Sequence, residues 1–214
     1  LDNTWGTPLY LKPLNIGFDM SFTSATKYFS GHSDAMGGSL AVNKKVFKRV
    51  MFFYKLSGYR LSADEAYLII RGLRTLDVRL KQHYQNTKVV INFLKKQKKI
   101  KEILYPYKSS SKNYKLWKKY YTGANGLLSI VVKSKKKSSV IKFINSLELF
   151  GIGYSWGGFE SLIILQELRS VSKYTKKRRY FRFKKDEHIV RLHIGLEDPK
   201  DLIEDLKRSL KHIK

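Results

Sequence analysis

The hydrophobic period of this chain changes repeatedly along its length, and that limits the fold more than any other feature. "FDMSFTSAT" alternates Phe18, Met20 and Phe22 with polar neighbours, the period-two mark of a half-buried strand, ending just before Lys27. "GGSLAVN" follows the glycines 37 and 38 as a second short strand. "KKVFKRVMFFYKL" then sets Val46, Phe47, Val50, Met51 and Tyr54 at helical spacing. Ser62 and Glu65 form an S-x-x-E capping box, which predicts a helix start. Leu73, Leu76 and Leu80, then Val89, Val90, Phe93 and Leu94, carry the helical period onward. Gly72 reads as a break or a close-packing point between two halves.

Alternation resumes downstream. "KEILYP", "GLLSIVVKS", "FGIGYS" and "HIVRLHIG" read as strands and "SSVIKFINSLEL" as a helix. "DPKDLIEDLKRSLKHI" reads as a terminal helix with Asp198 as N-cap and Pro199 in the first position. Residues 1–4 read as a strand end, and "TPLYLKPLNIG", with two prolines, as a short helix or loop. Strands mixed with helices over 214 residues predict an α/β domain followed by a smaller α+β domain. The boundary is expected near Arg74, giving residues 1–74 and 75–214.

Composition removes several function classes. With no cysteine there is neither a disulfide framework nor a thiolate metal site. No run approaches the ~18 apolar residues of a membrane span, so no membrane partner is expected. The first residues lack a basic-then-apolar leader, and a cytoplasmic location is the default. The chain opens on "LDNTWGTPLY", without an initiator Met and straight into strand-like sequence. The expectation is a fragment whose N-terminal part is absent.

The charge is extreme: 43 Lys and Arg against 17 Asp and Glu, net +26. That admits a polyanion-binding module, which would bind nucleic acid with a steep salt dependence. But the excess is mostly lysine, spread over "VNKKVFKR", "FLKKQKKIK", "KSKKKSS" and "KYTKKRRYFRFKK". No nucleic-acid-binding signature accompanies it. Compositional drift accounts for it better, and nucleic acid is not expected as a partner. Residues 173–185, where aromatics interleave the charges, are the best candidate for a real polyanion patch.

Lys27 stands apart from the other lysines. A lysine acting as a covalent catalyst needs a rigid element to place it and a depressed pKa. "TSATKY" delivers Lys27 to a strand end between Ser24 and Thr26, hydroxyls suited to a phosphate, with Gly31, Gly37 and Gly38 following. By position alone an ordinary loop lysine is the better reading. Asp2 changes the odds: it ends another apolar strand, and a carboxylate there faces the same crevice at the strands' carboxyl ends. Pyridoxal phosphate chemistry needs this pair, an amine to hold the cofactor covalently and an acid on the pyridine nitrogen.

"DNTW", "SATKYFSGHSDAMGG" and "RGLRTLDVRLKQH" resemble the pyridoxal-phosphate enzymes of cysteine and methionine metabolism, as do "YSWGGFESL" and "RLHIGLEDPKDLIEDL". The resemblance runs from Leu1 to the terminal helix. It implies the C-terminal part of a fold type I, aspartate-aminotransferase-like enzyme: part of the large cofactor domain plus the smaller C-terminal domain. "SWGG" at 155–158 is similar to the bacterial cystathionine β-lyases, which implies β-elimination of cystathionine in methionine biosynthesis; a γ-lyase or γ-synthase is the sibling reading.

The resemblance also implies roles. Lys27 would hold the cofactor, remove the substrate α-proton and protonate the leaving group. Asp2 would pair with the pyridine nitrogen, and Ser24 and Thr26 would bind the phosphate. Arg191 would clamp the substrate carboxylate with its planar fork, completed by Ser155 and the Trp156 backbone N–H. Read from position alone, Arg191 is an ordinary strand residue and Trp156 a core residue. His32 and Asp34 are expected to make turn hydrogen bonds, and His83, His188, His193 and His212 show no metal spacing. Family members carry an upstream half with further cofactor contacts, so these residues alone are expected to be inactive. Full members would be homotetramers of active-site-sharing dimers. Residues 168–187 depart from the family's usual segment. A degenerate scaffold remnant is disfavoured by the intact Lys27, Asp2 and Arg191.

Overall fold

The computed structural model describes residues 1–107, 113–166 and 184–214. Strands β1 (Met20–Ser24) and β2 (Gly38–Val42) pair antiparallel, with Met20 opposite Val42 and Ser24 opposite Gly38. Asp2 adds a parallel bridge to Phe22: the Asn3 N–H donates to the Phe22 carbonyl (2.7 Å), and the Phe22 N–H to the Leu1 carbonyl (2.9 Å). The strand end expected at residues 1–4 therefore lies beside β1 and runs the same way. Between them the two-proline segment forms a single-turn helix α1 (Thr7–Tyr10) and a 3-10 turn (Pro13–Ile16), each with a proline in its first turn.

Helix α2 (Lys44–Ser57) starts on the Asn43 side chain, which accepts from the Val46 N–H, and stops at Gly58 in a left-handed conformation. The predicted helix is present, but no residue of it is buried; Phe52, Phe53 and Leu56 are 62, 57 and 71% exposed. Caps and spacing suffice to form a helix, whereas burial needs a facing surface, and none of the described residues supplies one for α2.

Helix α3 (Ala63–Leu73) begins at the expected box: the Ser62 hydroxyl accepts from the Glu65 N–H at 3.1 Å. The Glu65 carboxylate accepts from that hydroxyl instead of from the N-cap N–H. Helix α4 (Leu76–Leu94) follows after a short break. Gly72 lies inside the last turn of α3 and is the close-packing point of the two readings: a Cβ there would lie 2.2 Å from the Ser30 carbonyl oxygen and 2.3 Å from that of Phe29. At 1.5 Å per residue, α4 is about 28 Å long and joins two clusters. Its first turns put Leu76 and Leu80 against Ala25, Tyr28 and Phe29, and its last turns put Val90, Ile91 and Leu94 into a larger core.

That larger core fills one side of a five-stranded sheet ordered β3-β4-β7-β6-β5. The strands are β3 (Ile100–Leu104), β4 (Leu127–Lys133), β5 (Gly151–Ile152), β6 (Leu162–Gln166) and β7 (Glu187–His193). Every pairing is antiparallel except β5 with β6. Helix α5 (Tyr114–Tyr120) seats Trp117 in the core. Helix α6 (Lys137–Asn145) contributes Val140 and Phe143, and α7 (Pro199–Leu210) contributes Leu202 and Leu206. The Asp198 side chain caps α7 by accepting from the Lys200 N–H.

Two elements escaped the sequence reading, β6 and α5. The unbroken apolar run of β6 has no period to read, and α5 lies in a stretch crowded with Lys and Tyr. The predicted strand "FGIGYS" shrinks to the two residues of β5. Of the candidate polyanion segment, residues 173–183 lie outside the described residues. Among the described residues no helix is long and apolar enough to cross a membrane.

Candidate active site

β1 stops at Ser24, two residues short of where its pattern was read to end, and Ala25–Phe29 form a wide turn. Lys27 sits in the middle of that turn with φ −92° and ψ −120°. Arg79 of α4 clamps it from behind: the guanidinium donates to the carbonyls of Tyr28 (2.9 Å), Phe29 (3.4 Å) and Gly72 (2.7 Å), and Nε to the Thr75 hydroxyl (2.9 Å). Gly31, at φ +70°, clears the way, since a Cβ there would lie 2.0 Å from the guanidinium. In front, the Thr26 hydroxyl bonds both the N–H (3.1 Å) and the carbonyl (3.4 Å) of Gly37.

The Lys27 amine donates to the Ser155 hydroxyl at 2.7 Å and lies 5.6 Å from the centre of the Trp156 ring. Burial lowers its pKa from the ordinary lysine value, and the nearby Arg191 charge lowers it further. Arg191, on β7, donates through one terminal nitrogen to the carbonyls of Tyr154, Ser155 (3.4 Å) and Gly153 (3.5 Å). Its remaining guanidinium nitrogens, and the Trp156 N–H, make no hydrogen bond among the described residues. Trp156 also packs against Tyr28 at 5.5 Å between ring centres, so it serves the core as well.

Asp2 is tied to the same edge through Thr4. Its Oδ1 accepts from the Thr4 N–H (2.9 Å) and hydroxyl (2.6 Å), and the Thr4 oxygen accepts from the Ser24 N–H (2.8 Å). Asp2 Oδ2 and the Ser24 hydroxyl are left without hydrogen bonds among the described residues. Asp2 and Lys27 thus leave neighbouring, parallel-running strands at their carboxyl ends. The turn role expected of His32 is met: Nδ1 donates to the Ser30 carbonyl at 2.6 Å. Asp34 is exposed and makes no such bond among the described residues, so the turn bond expected of it is not found there.

Sequence reasoning missed Arg79, Thr4 and a buried aromatic group under Lys27. Tyr28, His83 and His193 pack with ring centres 5.1 to 6.0 Å apart. Burial above all holds both histidines neutral, His83 pushed down to about 3 and His193 to about 4. Nothing local in the sequence marks them.

A family model described as "Cys/Met metabolism PLP-dependent enzyme" matches residues 1–211. The chain belongs to this family. A cystathionine beta-lyase of Escherichia coli is 37% identical over 214 residues, all of this chain and 53% of that protein. An L-alanine/L-glutamate racemase of Wolbachia pipientis is 38% identical over 210 residues, 98% of this chain and 51% of that protein. The solved structure of a cystathionine gamma-lyase from Lactobacillus plantarum, complexed with L-serine, superposes with a TM-score of 0.86 at 26% identity. That superposition covers 99% of this chain and 55% of that one. The chain therefore spans about half the length of the relatives it matches and has the fold of the C-terminal part of a fold type I enzyme.

Pyridoxal phosphate is the cofactor of the family, and the donor set here fits it. An amine of lowered pKa, a carboxylate with one oxygen open and an unengaged hydroxyl lie at or just past the carboxyl ends of two adjacent strands.

Proposed function

We propose that the full-length protein containing this chain cleaves the carbon–sulfur bond of L-cystathionine on the β side, releasing homocysteine, pyruvate and ammonia. The observation that carries this reading is the placing of Lys27: its amine meets Ser155 at 2.7 Å, and Arg191 backs the same loop with most of its fork open. Lys27 would hold the cofactor through its amine, Asp2 would pair with the ring nitrogen, and Ser24 and Thr26 would bind the phosphate. When bound, pyridoxal phosphate supplies a ring that accepts the electron pair left by the α-proton.

This chain's residues do the rest. Arg191 fixes the substrate carboxylate by two parallel charge-assisted bonds, joined by the Ser155 hydroxyl and the Trp156 N–H. Once the substrate's own amine has displaced it from the cofactor, the freed Lys27 amine, its pKa lowered by burial, would take the α-proton and deliver it to the departing thiolate. The remaining three-carbon fragment hydrolyses to pyruvate and ammonia. The reading includes a cytoplasmic homotetramer of dimers that share active sites, a role in methionine biosynthesis, and a domain boundary at Arg74. Exposed Phe52, Phe53 and Leu56 on α2 support the assembly. Gamma-elimination is the sibling within the reading, supported by the gamma-lyase likeness. Racemisation of a small amino acid is a second reading, favoured by the Wolbachia relative.

Full-length protein with pyridoxal phosphate should turn yellow, and Lys27→Ala should abolish the band. Cystathionine should then yield pyruvate. Release of 2-oxobutyrate would reassign the enzyme to γ-cleavage. Loss of optical activity from L-alanine or L-glutamate without a keto acid would favour the racemase. A colourless wild type would defeat the enzyme reading altogether.

A further inference from the structure

We propose that His193 is a positioning residue that straps the Ser155–Gly158 loop over Lys27; the proposal rests on the enzyme reading above for its kinetic consequence, though not for its structural one. Successive side chains of a strand point to opposite faces, so Arg191 and His193 of β7 share a face. Both reach the same loop, at different ends. Arg191 bonds the carbonyls of residues 153–155. His193 Nε2 lies 3.1 Å from the Gly157 N–H donor and 3.1 Å from the Gly158 carbonyl oxygen.

The far end of the loop rests on the backbone of Lys27 itself. Gly157 has φ +89°, and a Cβ there would lie 3.1 Å from both the Lys27 Cβ and the Lys27 carbonyl carbon. A shift of this loop is therefore felt directly at Lys27, and it moves Ser155 and Trp156 as well. His193 is 1% exposed and shielded by Tyr28 and His83 at ring distances of 6.0 and 5.1 Å. A buried acceptor in that setting holds its donor more firmly than a solvated one.

The two straps differ in what substrate does to them. Arg191 must turn its fork to a carboxylate, loosening its hold on the carbonyls of residues 153–155. His193 has no such competing task. With a bare Nε2 it keeps the Gly157 N–H while Ser155 and the Trp156 N–H close on the same carboxylate. A neutral imidazole nitrogen cannot be donor and acceptor at once. Gly157 has an N–H that needs an acceptor, and the tautomer with a bare Nε2 supplies it; the ring proton then sits on Nδ1, which has no partner among the described residues, and the Gly158 carbonyl takes no bond from the ring.

Amide hydrogen exchange of the full-length protein, read on peptides covering 154–159, tests the strap without any assay of activity. His193→Leu fills the space but removes the acceptor; exchange there should accelerate about tenfold, the worth of one buried hydrogen bond, while peptides of β4 keep wild-type rates. His193→Gln returns an acceptor and should restore protection. In the loaded enzyme, His193→Leu should raise KM about tenfold and lower kcat by less, with His193→Gln close to wild type.

Wild-type exchange at 154–159 in a folded His193→Leu protein would overturn the proposal, and so would failure of His193→Gln to restore it. If His193→Leu opens the whole chain, His193→Asn takes its place. That variant keeps a polar group but draws the acceptor back: a local rise in exchange supports the strap, and none overturns it. A colourless wild-type enzyme would defeat the enzyme reading and leave the exchange result standing.

Discussion

The two buried clusters of this chain are held in different ways. The larger, between the five-stranded sheet and α4, α6 and α7, is built from side chains such as Ile130, Phe143, Ile163, Leu192 and Leu206, all fully buried. The smaller, around Tyr28 and Phe29, has less apolar surface to bury and is shaped by hydrogen bonds to backbone: the Arg79 clamp, the bond from the Gly126 N–H to the Tyr28 hydroxyl, and the Thr26–Gly37 pair. The contrast follows from what each must do. A core that only stabilises can be dry, whereas a turn proposed to present an amine to a ligand must stay partly open. Directional bonds hold its geometry where apolar area is short.

The largest expected effect separates presentation from stability. Lys27→Ala should lower turnover of the full-length enzyme by about 10²–10⁴-fold while the urea midpoint barely moves. A large fall in that midpoint would mean Lys27 helps to hold the turn and would blur the contrast. Next, Leu206→Ala should cost about 3 kcal/mol in urea unfolding by leaving a cavity in the larger core. The yellow band of the loaded enzyme should survive, because Leu206 does not touch the Lys27 turn. Arg79→Met should cost slightly less, about 2–3 kcal/mol, by leaving buried carbonyls without donors. It should also weaken the band. A loss below about 1 kcal/mol would show that apolar packing, not the clamp, holds the smaller cluster.

Acid gives the smallest effect per step. His83 and His193 titrate near 6.5 when unfolded but only at about 3 and about 4 when folded. Between those limits the unfolded chain binds more protons. Their contribution to stability is therefore complete above about pH 6.5 and drains away as pH falls toward the folded values. Each histidine should contribute up to about 1.4 kcal/mol per pH unit in that window. Urea unfolding at stepped pH should show His193→Gln flattening the slope below pH 6.5. An unchanged slope would mean the imidazole is not held neutral.

Much of the local structure around the candidate site was legible because its cues are local. A strand pattern running into a lone lysine, an acid closing a second strand, a capping box at Ser62 and an Asp198–Pro199 start depend on backbone geometry within a few residues. Patterns of that range survive in the sequence whatever the rest of the chain does. Resemblance to the family then supplied roles for Arg191, Ser155 and Trp156 that spacing could not. Arg79 lay inside a segment quoted for that resemblance, "RGLRTLDVRLKQH", and still went unremarked, since its partners Tyr28 and Phe29 are 51 and 50 residues away.

On its own, the sequence determined most of the strands and helices, though not β6 or α5, the position of Lys27 just past β1, and the family. Only the tertiary structure decided that Lys27 meets Ser155 across 128 residues, that His83 reaches the Ile194 carbonyl across 111, and that the apolar stripe of α2 faces no described core. Hydrophobic period says that a face is apolar but not which surface it meets. Hydrogen bonds at such separations follow from how β7, α4 and the Lys27 turn pack together, and packing is settled by the shape of the whole molecule.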